Sequence, residues 1–86
     1  MKMKRPVQKY DMVEVWWDDP TGLKDGWIQK LEEIKPAMVL SVGFLVHESD
    51  TYYVIAQDSD PEGNHNGRTQ LPKTAVKKMK VLRKKD

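Results

Sequence analysis

The sequence predicts a small, mainly β domain of five strands. Three observations carry this expectation. From Met38 to His47 apolar residues recur with period two, Met38, Leu40, Val42, Phe44 and Val46 alternating with Val39, Ser41, Gly43, Leu45 and His47. A polar turn, Glu48-Ser49-Asp50, follows, and then a β-branched and aromatic run, Thr51 to Gln57. Alternation, turn and return strand together specify a hairpin over 38–57. Shorter strand signals flank it on both sides, and the only helical periodicity is brief.

Tyr10 to Trp17 reads as the first strand. Val13, Val15 and Trp17 share one face, and Met12, Glu14 and Trp16 the other. The charge on Glu14 assigns the Val13 face to the core. Asp18-Asp19-Pro20-Thr21-Gly22 then supplies turn chemistry. Residues 25–35 predict a short helix, with Trp27, Ile28, Leu31 and Ile34 on one stripe, Asp25 as N-cap and Pro36 as the stop. Two or three turns do not hold in isolation, so this helix is expected to pack on the sheet.

Gly43 lies inside a strand, where glycine marks a bulge or a close backbone approach and lets a strand bend to serve both halves of a sheet. Residues 58–67 read as a long polar loop, and Arg68 to Leu71 as a short strand. Pro72-Lys73-Thr74-Ala75 reads as one 3-10 turn, and Val76 to Leu82 as the last strand. There, Met79 and Val81 occupy one face and Val76 and Leu82 the other, which leaves the register open. The predicted organisation is a basic, flexible leader (1–9), one domain (10–82) and a basic tail (83–86).

Eighty-six residues form one small core. The chain has no cysteine, so a disulfide framework and thiolate metal sites are excluded. No apolar run reaches the ~20 residues of a membrane span, and no apolar segment of signal-peptide type follows the basic start. A cytoplasmic protein without a membrane partner is expected. The net charge of +2 hides an uneven layout. Residues 1–9 carry four Lys or Arg and no acid, residues 10–72 carry twelve acids against four bases, and residues 73–86 carry seven bases and Asp86. Basic ends on an acidic body serve either solubility or a phosphate-binding patch.

Five short strands, one inserted helix and a one-turn helix before the last strand resemble the layout of SH3-like barrels. That resemblance implies a first and last strand lying side by side, so that Lys4, Arg5 and Lys9 approach Lys77, Lys78, Lys80, Arg83, Lys84 and Lys85. A narrower likeness covers roughly residues 10–82. The strings Val13-x-Val15-x-Trp17-x-Asp19, Gly26-Trp27, Ser41-Val42-Gly43-Phe44-Leu45-Val46 and Leu71-Pro72-x-x-x-Val76-x-x-Met79 resemble a group of small uncharacterised phage and prophage proteins. The likeness implies a fold and a phage-associated origin, and no functional residues.

No catalytic motif is present: there is no G-x-S-x-G, P-loop or dinucleotide fingerprint. A non-enzymatic protein without a cofactor is expected. Asp58, Asp60, Glu62 and Gly63 match the opening of a calcium loop, but Thr69 stands where its closing carboxylate belongs, which favours a solvated turn. His47 and His65, the only histidines, lack two further zinc ligands. The aromatics are the stronger lead. Adjacent strand residues point to opposite faces, so one of Trp16 and Trp17 joins the core, and the other is covered by the helix or forms an interaction platform. Trp16, Trp17, Trp27 and Tyr52 are the candidate interaction residues, and Lys77, Lys78, Lys80, Arg83, Lys84 and Lys85 the candidate phosphate contacts. The leading expectation is a protein-binding module. A nucleic-acid-binding barrel and a small-ligand binder at Trp16 and Trp27 are the alternatives.

Overall fold

The computed structural model describes residues 5–19 and 37–86. The helix expected over 25–35, with Trp27, lies outside the described residues. Five strands follow in the order expected: β1 Met12–Asp19, β2 Ala37–Glu48, β3 Tyr52–Ser59, β4 His65–Pro72 and β5 Val76–Arg83, with a 3-10 turn at Lys73–Ala75 before β5. All pairings are antiparallel and form one sheet in the order β4-β3-β2-β1-β5. Among the described residues no ladder joins β4 to β5, so backbone pairing leaves the sheet open.

The Val13 face is the core face. Val13, Val15, Ile55 and Leu71 are buried together, and Trp17, Leu45, Val76 and Met79 pack against them. Trp17 is thus the inward member of the tryptophan pair, and its indole N–H donates to Ser41 Oγ at 3.0 Å. That bond satisfies the one polar group an inward tryptophan carries.

β2 is the longest strand and serves two neighbours. Residues 37–44 pair with β1, and Phe44 to Glu48 pair with β3. Gly43 stands at the handover. A Cβ placed there would lie 2.7 Å from the carbonyl oxygen of Ala56, so the glycine permits the close backbone approach that its sequence position suggests.

Bulges resolve the ambiguous register of β5. Trp16 opposes Lys78 and Trp17 opposes Val76, leaving Lys77 as the extra residue. The bulge inverts the parity of the strand, so Val76 and Met79 both reach the core although they stand three positions apart. A second bulge skips Leu82, and a third, on β2, skips Val46. These insertions carry no signature in a period-two reading.

The loop expected over 58–67 is shorter than the sequence suggests. β3 runs to Ser59 and β4 begins at His65, so the strand expected over 68–71 is a full eight residues. Near the turn both strands of this hairpin are polar, Gln57, Asp58 and Asn66 exposed and Ser59 and His65 half-buried, and they pair through the backbone. Asp60 builds the turn: its Oδ1 accepts the N–H of Glu62 and of Asn64, each at 2.9 Å, and its Oδ2 accepts the Asn64 amide at 3.0 Å. Gly63, with φ +91°, supplies the left-handed residue. Its carbonyl accepts the Tyr10 hydroxyl at 2.7 Å.

The leader and the tail meet. Asp86 accepts from the Arg5 guanidinium at 2.6 Å and from the Gln8 N–H at 2.7 Å, and its own N–H donates to the Gln8 carbonyl at 3.0 Å. Lys85 N–H donates to Asp11 Oδ1 at 2.8 Å. The Gln8 N–H and then Arg5 hold the Asp86 carboxyl below its ordinary value of 3.8. The bonds from Asn64 do the same for Asp60. A lowered folded-state pKa stabilises above the ordinary value, and that contribution is lost as pH falls through the folded value. The amide resonances of Gln8, Glu62 and Asn64 should therefore stay constant from neutral pH to about pH 4 and move below it. Movement complete well above pH 4 would contradict these hydrogen bonds.

Candidate functional site

Opposed residues of an antiparallel ladder share a face, so the registers define what lies on the side of the sheet away from the core. Three columns run along it. On β5 stand Lys78 and Lys80, both exposed, with Arg83 at the strand end. On β1 stand Asp18, Trp16, Glu14 and Met12. On β2 stand Met38, Leu40, Val42 and Phe44, opposite those four in turn.

Trp16 is 37% exposed, and Met38, Leu40 and Val42 are 54%, 44% and 55% exposed. A basic column and an apolar column thus flank a central one that contains Trp16 between two carboxylates. The bulge at Lys77 supports this layout: Lys77 Nζ reaches Asp18 Oδ2 at 3.3 Å, placing one ion pair at the end of the strip. Solvent screens such a pair and its contribution to stability is small.

The three exposed β2 side chains are the residues that sequence reasoning did not single out. An amphipathic reading sends the larger members of an alternating strand inward. Here the inward members are Val39, Ser41 and Gly43, opposite Trp17, Val15 and Val13. Trp17 fills the space above Ser41, and the β3 backbone occupies the space beside Gly43. Inward β2 residues must be small where these groups already stand, and the larger ones face out. The available signal was the pair of small residues, Ser41 and Gly43, in the middle of an otherwise apolar run.

The other expected residues divide. Tyr52 lies apart from the strip, at the start of β3, half-buried and with its ring 5.8 Å from that of His47. Trp27 and Lys4 lie outside the described residues. The two basic ends do converge, since β1 and β5 are neighbours. Lys77 and Arg5, however, are taken up by Asp18 and Asp86. Lys84 and Lys85 follow β5 and are exposed.

Lys73 sits elsewhere and has a local task. Its ammonium contacts Glu48 at 2.7 Å and lies 5.0 Å from the Tyr53 ring centroid, while its N–H donates to the Thr51 carbonyl. These contacts fix the 3-10 turn to the β2–β3 hairpin. The hydrogen bond to Glu48 raises the Lys73 pKa above 10.5.

For small ligands, one cleft of about 350 Å³ lies between Lys9, Tyr10, Asp11, the β2 segment Leu45 to Glu48, and Lys85. A second, of about 220 Å³, lies at the β3–β4 turn, and a third, of about 200 Å³, lies where β2 and β3 diverge. None of the three is lined by Trp16 or Trp17. At the turn the Asp60 oxygens are engaged by the loop's own N–H groups. Among the described residues, no three His, Asp or Glu side chains gather as a metal site, and no helix is long and apolar enough to cross a membrane. No family model, curated protein or solved structure matches the chain.

Proposed function

We propose that the chain is a small protein-interaction module with an SH3-like arrangement of strands, and that it binds through the outer strip of β5, β1 and β2. The observation that carries this reading is the row Met38, Leu40 and Val42 beside Trp16, exposed on the side of the sheet the core does not use. Contiguous apolar side chains rimmed by polar ones mark interaction surfaces. The lysine column on one rim fits a partner with apolar side chains and carboxylates along one border, and such complementarity selects partners and speeds encounter.

Three features support the SH3-like arrangement: the strand order, the long β2 shared between two neighbours, and the single 3-10 turn before the last strand. The resemblance of the Val13–Asp19, Ser41–Val46 and Leu71–Met79 strings to phage and prophage proteins favours a host protein as partner and a cytoplasmic setting. The placement of Lys78 and Lys80 next to Trp16 favours a second reading, single-stranded nucleic acid. It would stack a base on the indole, and binding would weaken steeply with salt. Glu14 and Asp18, in the central column, weigh against it.

The test compares the two tryptophans. Trp16→Ala removes an exposed anchor and should leave the fold intact while lowering capture of a host-lysate protein at least tenfold, as for a central aromatic hot spot. Trp17→Ala should instead destabilise the domain, since it empties part of the core and leaves Ser41 without its donor. Undiminished capture by folded Trp16→Ala would refute the proposed surface. Capture replaced by salt-sensitive oligonucleotide binding would favour the second reading.

A further inference from the structure

The backbone of the same strand points to a second property, which does not depend on the nature of the partner. Leu45 N–H donates to the Asp11 carbonyl at 2.9 Å, in the register of the β1–β2 ladder. Hydrogen-bonded pairs recur at every second residue of an antiparallel ladder. Gly43, Ser41 and Val39 therefore turn their N–H and C=O groups towards β1. Val42, Leu40 and Met38 turn theirs the opposite way. On that side the β3 ladder begins at Phe44–Ala56 and does not reach Val42. β3 instead diverges, opening the cleft lined by Ser41, Val42, Ala56, Gln57 and Gly67. Among the described residues, no strand pairs with the edge formed by Met38, Leu40 and Val42.

An unpaired edge is a template for another strand. Native edges are commonly blunted by charge, proline or a bulge, and β5, with its lysines and two bulges, shows two of these devices. The Met38–Val42 segment has none. We infer that this edge pairs with the same edge of a second copy, antiparallel about a two-fold axis through Leu40. The segment is self-complementary in that register. Leu40 opposes Leu40 of the other copy, and Met38 opposes Val42 on either side. The six outward N–H groups, three from each copy, then all find carbonyl partners, and no charged side chain of the row opposes a like charge. Edge pairing leaves the side chains on the outer face, so two apolar columns join into one wider surface with a lysine column at each border. A contact of five residues from each copy is smaller than the roughly 1,200 Å² of a standard interface, so the association is weak and appears at high concentration.

Sedimentation equilibrium should show the average mass rising from 10.0 kDa at micromolar concentration towards twice that value in the millimolar range. Amide exchange over the same range should show Val39, Ser41 and Gly43 protected throughout, with Met38, Leu40 and Val42 becoming protected only as the mass rises. Leu40→Lys and Leu40→Glu each place like charges about 5 Å apart across the axis and should remain monomeric, whereas their equimolar mixture should recover association at low salt. A chain that stays monomeric at millimolar concentration overturns the inference. So does association without the alternating protection, and so does protection of Met38, Leu40 and Val42 that is independent of concentration, because a segment of the same chain would then cover the edge. The wild-type exchange pattern decides the matter even if a Leu40 variant fails to fold. Trp16→Ala, which tests partner binding, should leave self-association unchanged.

Discussion

Replacing Gly43 with alanine should cost about 3 kcal/mol of stability, a large effect for adding one methyl group. The added carbon would stand 2.7 Å from the Ala56 carbonyl oxygen, well inside van der Waals contact. The obstacle is backbone, paired in the β2–β3 ladder through Phe44 and Ala56, and so cannot rotate aside as a side chain would. Relief requires β2 and β3 to separate at the point where β2 passes from one neighbour to the other. Denaturant unfolding of Gly43→Ala should show a lower midpoint, and the loss should exceed that of Val42→Ala, an exposed neighbour expected to change stability by about 0.5 kcal/mol or less. Equal effects at the two positions would mean that the strands do not approach closely there.

Leu71→Ala should be the most damaging of the simple truncations, at about 3–4 kcal/mol. Leu71 is fully buried and is the largest of the fully buried side chains among the described residues. It closes the core from β4, opposite Tyr53, and packs with Val13, Val15 and Ile55. A chain of this length has roughly 5–10 kcal/mol in total, so one cavity removes a large fraction. Among the described residues few other side chains are buried that could collapse into the space. A change below about 1 kcal/mol in thermal or chemical unfolding would show that the core is looser than its burial indicates. Leu71→Met, which conserves volume, should recover most of the loss.

The elements legible in the sequence were those with a repeating chemical contrast. β1 declared its core face because the charge on Glu14 keeps the opposite face from being the buried one, whereas the choice between Trp16 and Trp17 stayed open until the packing of Trp17 against the core decided it. The β2–β3 hairpin was legible from its alternation and its turn, which Ser49 closes by accepting the N–H groups of Thr51 and Tyr52. β4 was half hidden, because His65 to Gln70 is polar and mostly exposed and pairing through the backbone leaves no hydrophobic rhythm. The bulges at Val46, Lys77 and Leu82 were hidden for a related reason. One inserted residue resembles a break in pattern, and only the neighbouring strand shows which residue is the extra one. The candidate surface was the least legible part. Whether Met38, Leu40 and Val42 face in or out depends on Trp17 and on the β3 backbone, both far from β2 in sequence or set by tertiary packing.

The junction of Gln8 with Asp86 also bears on how the molecule answers to force. β1 and β5 are antiparallel neighbours, and Met12 opposes Arg83, so the backbone enters β1 and leaves β5 at the same place. Pulling the two flanking segments apart loads the hydrogen bonds one after another: first those of Asp86 with Arg5 and Gln8, then the β1–β5 ladder from Arg83 inward. Bonds loaded in sequence yield at lower tension than bonds sheared together. The domain should therefore peel open from its ends as a zipper does, and a device that grips it elsewhere, across β2 and β3, should meet greater resistance.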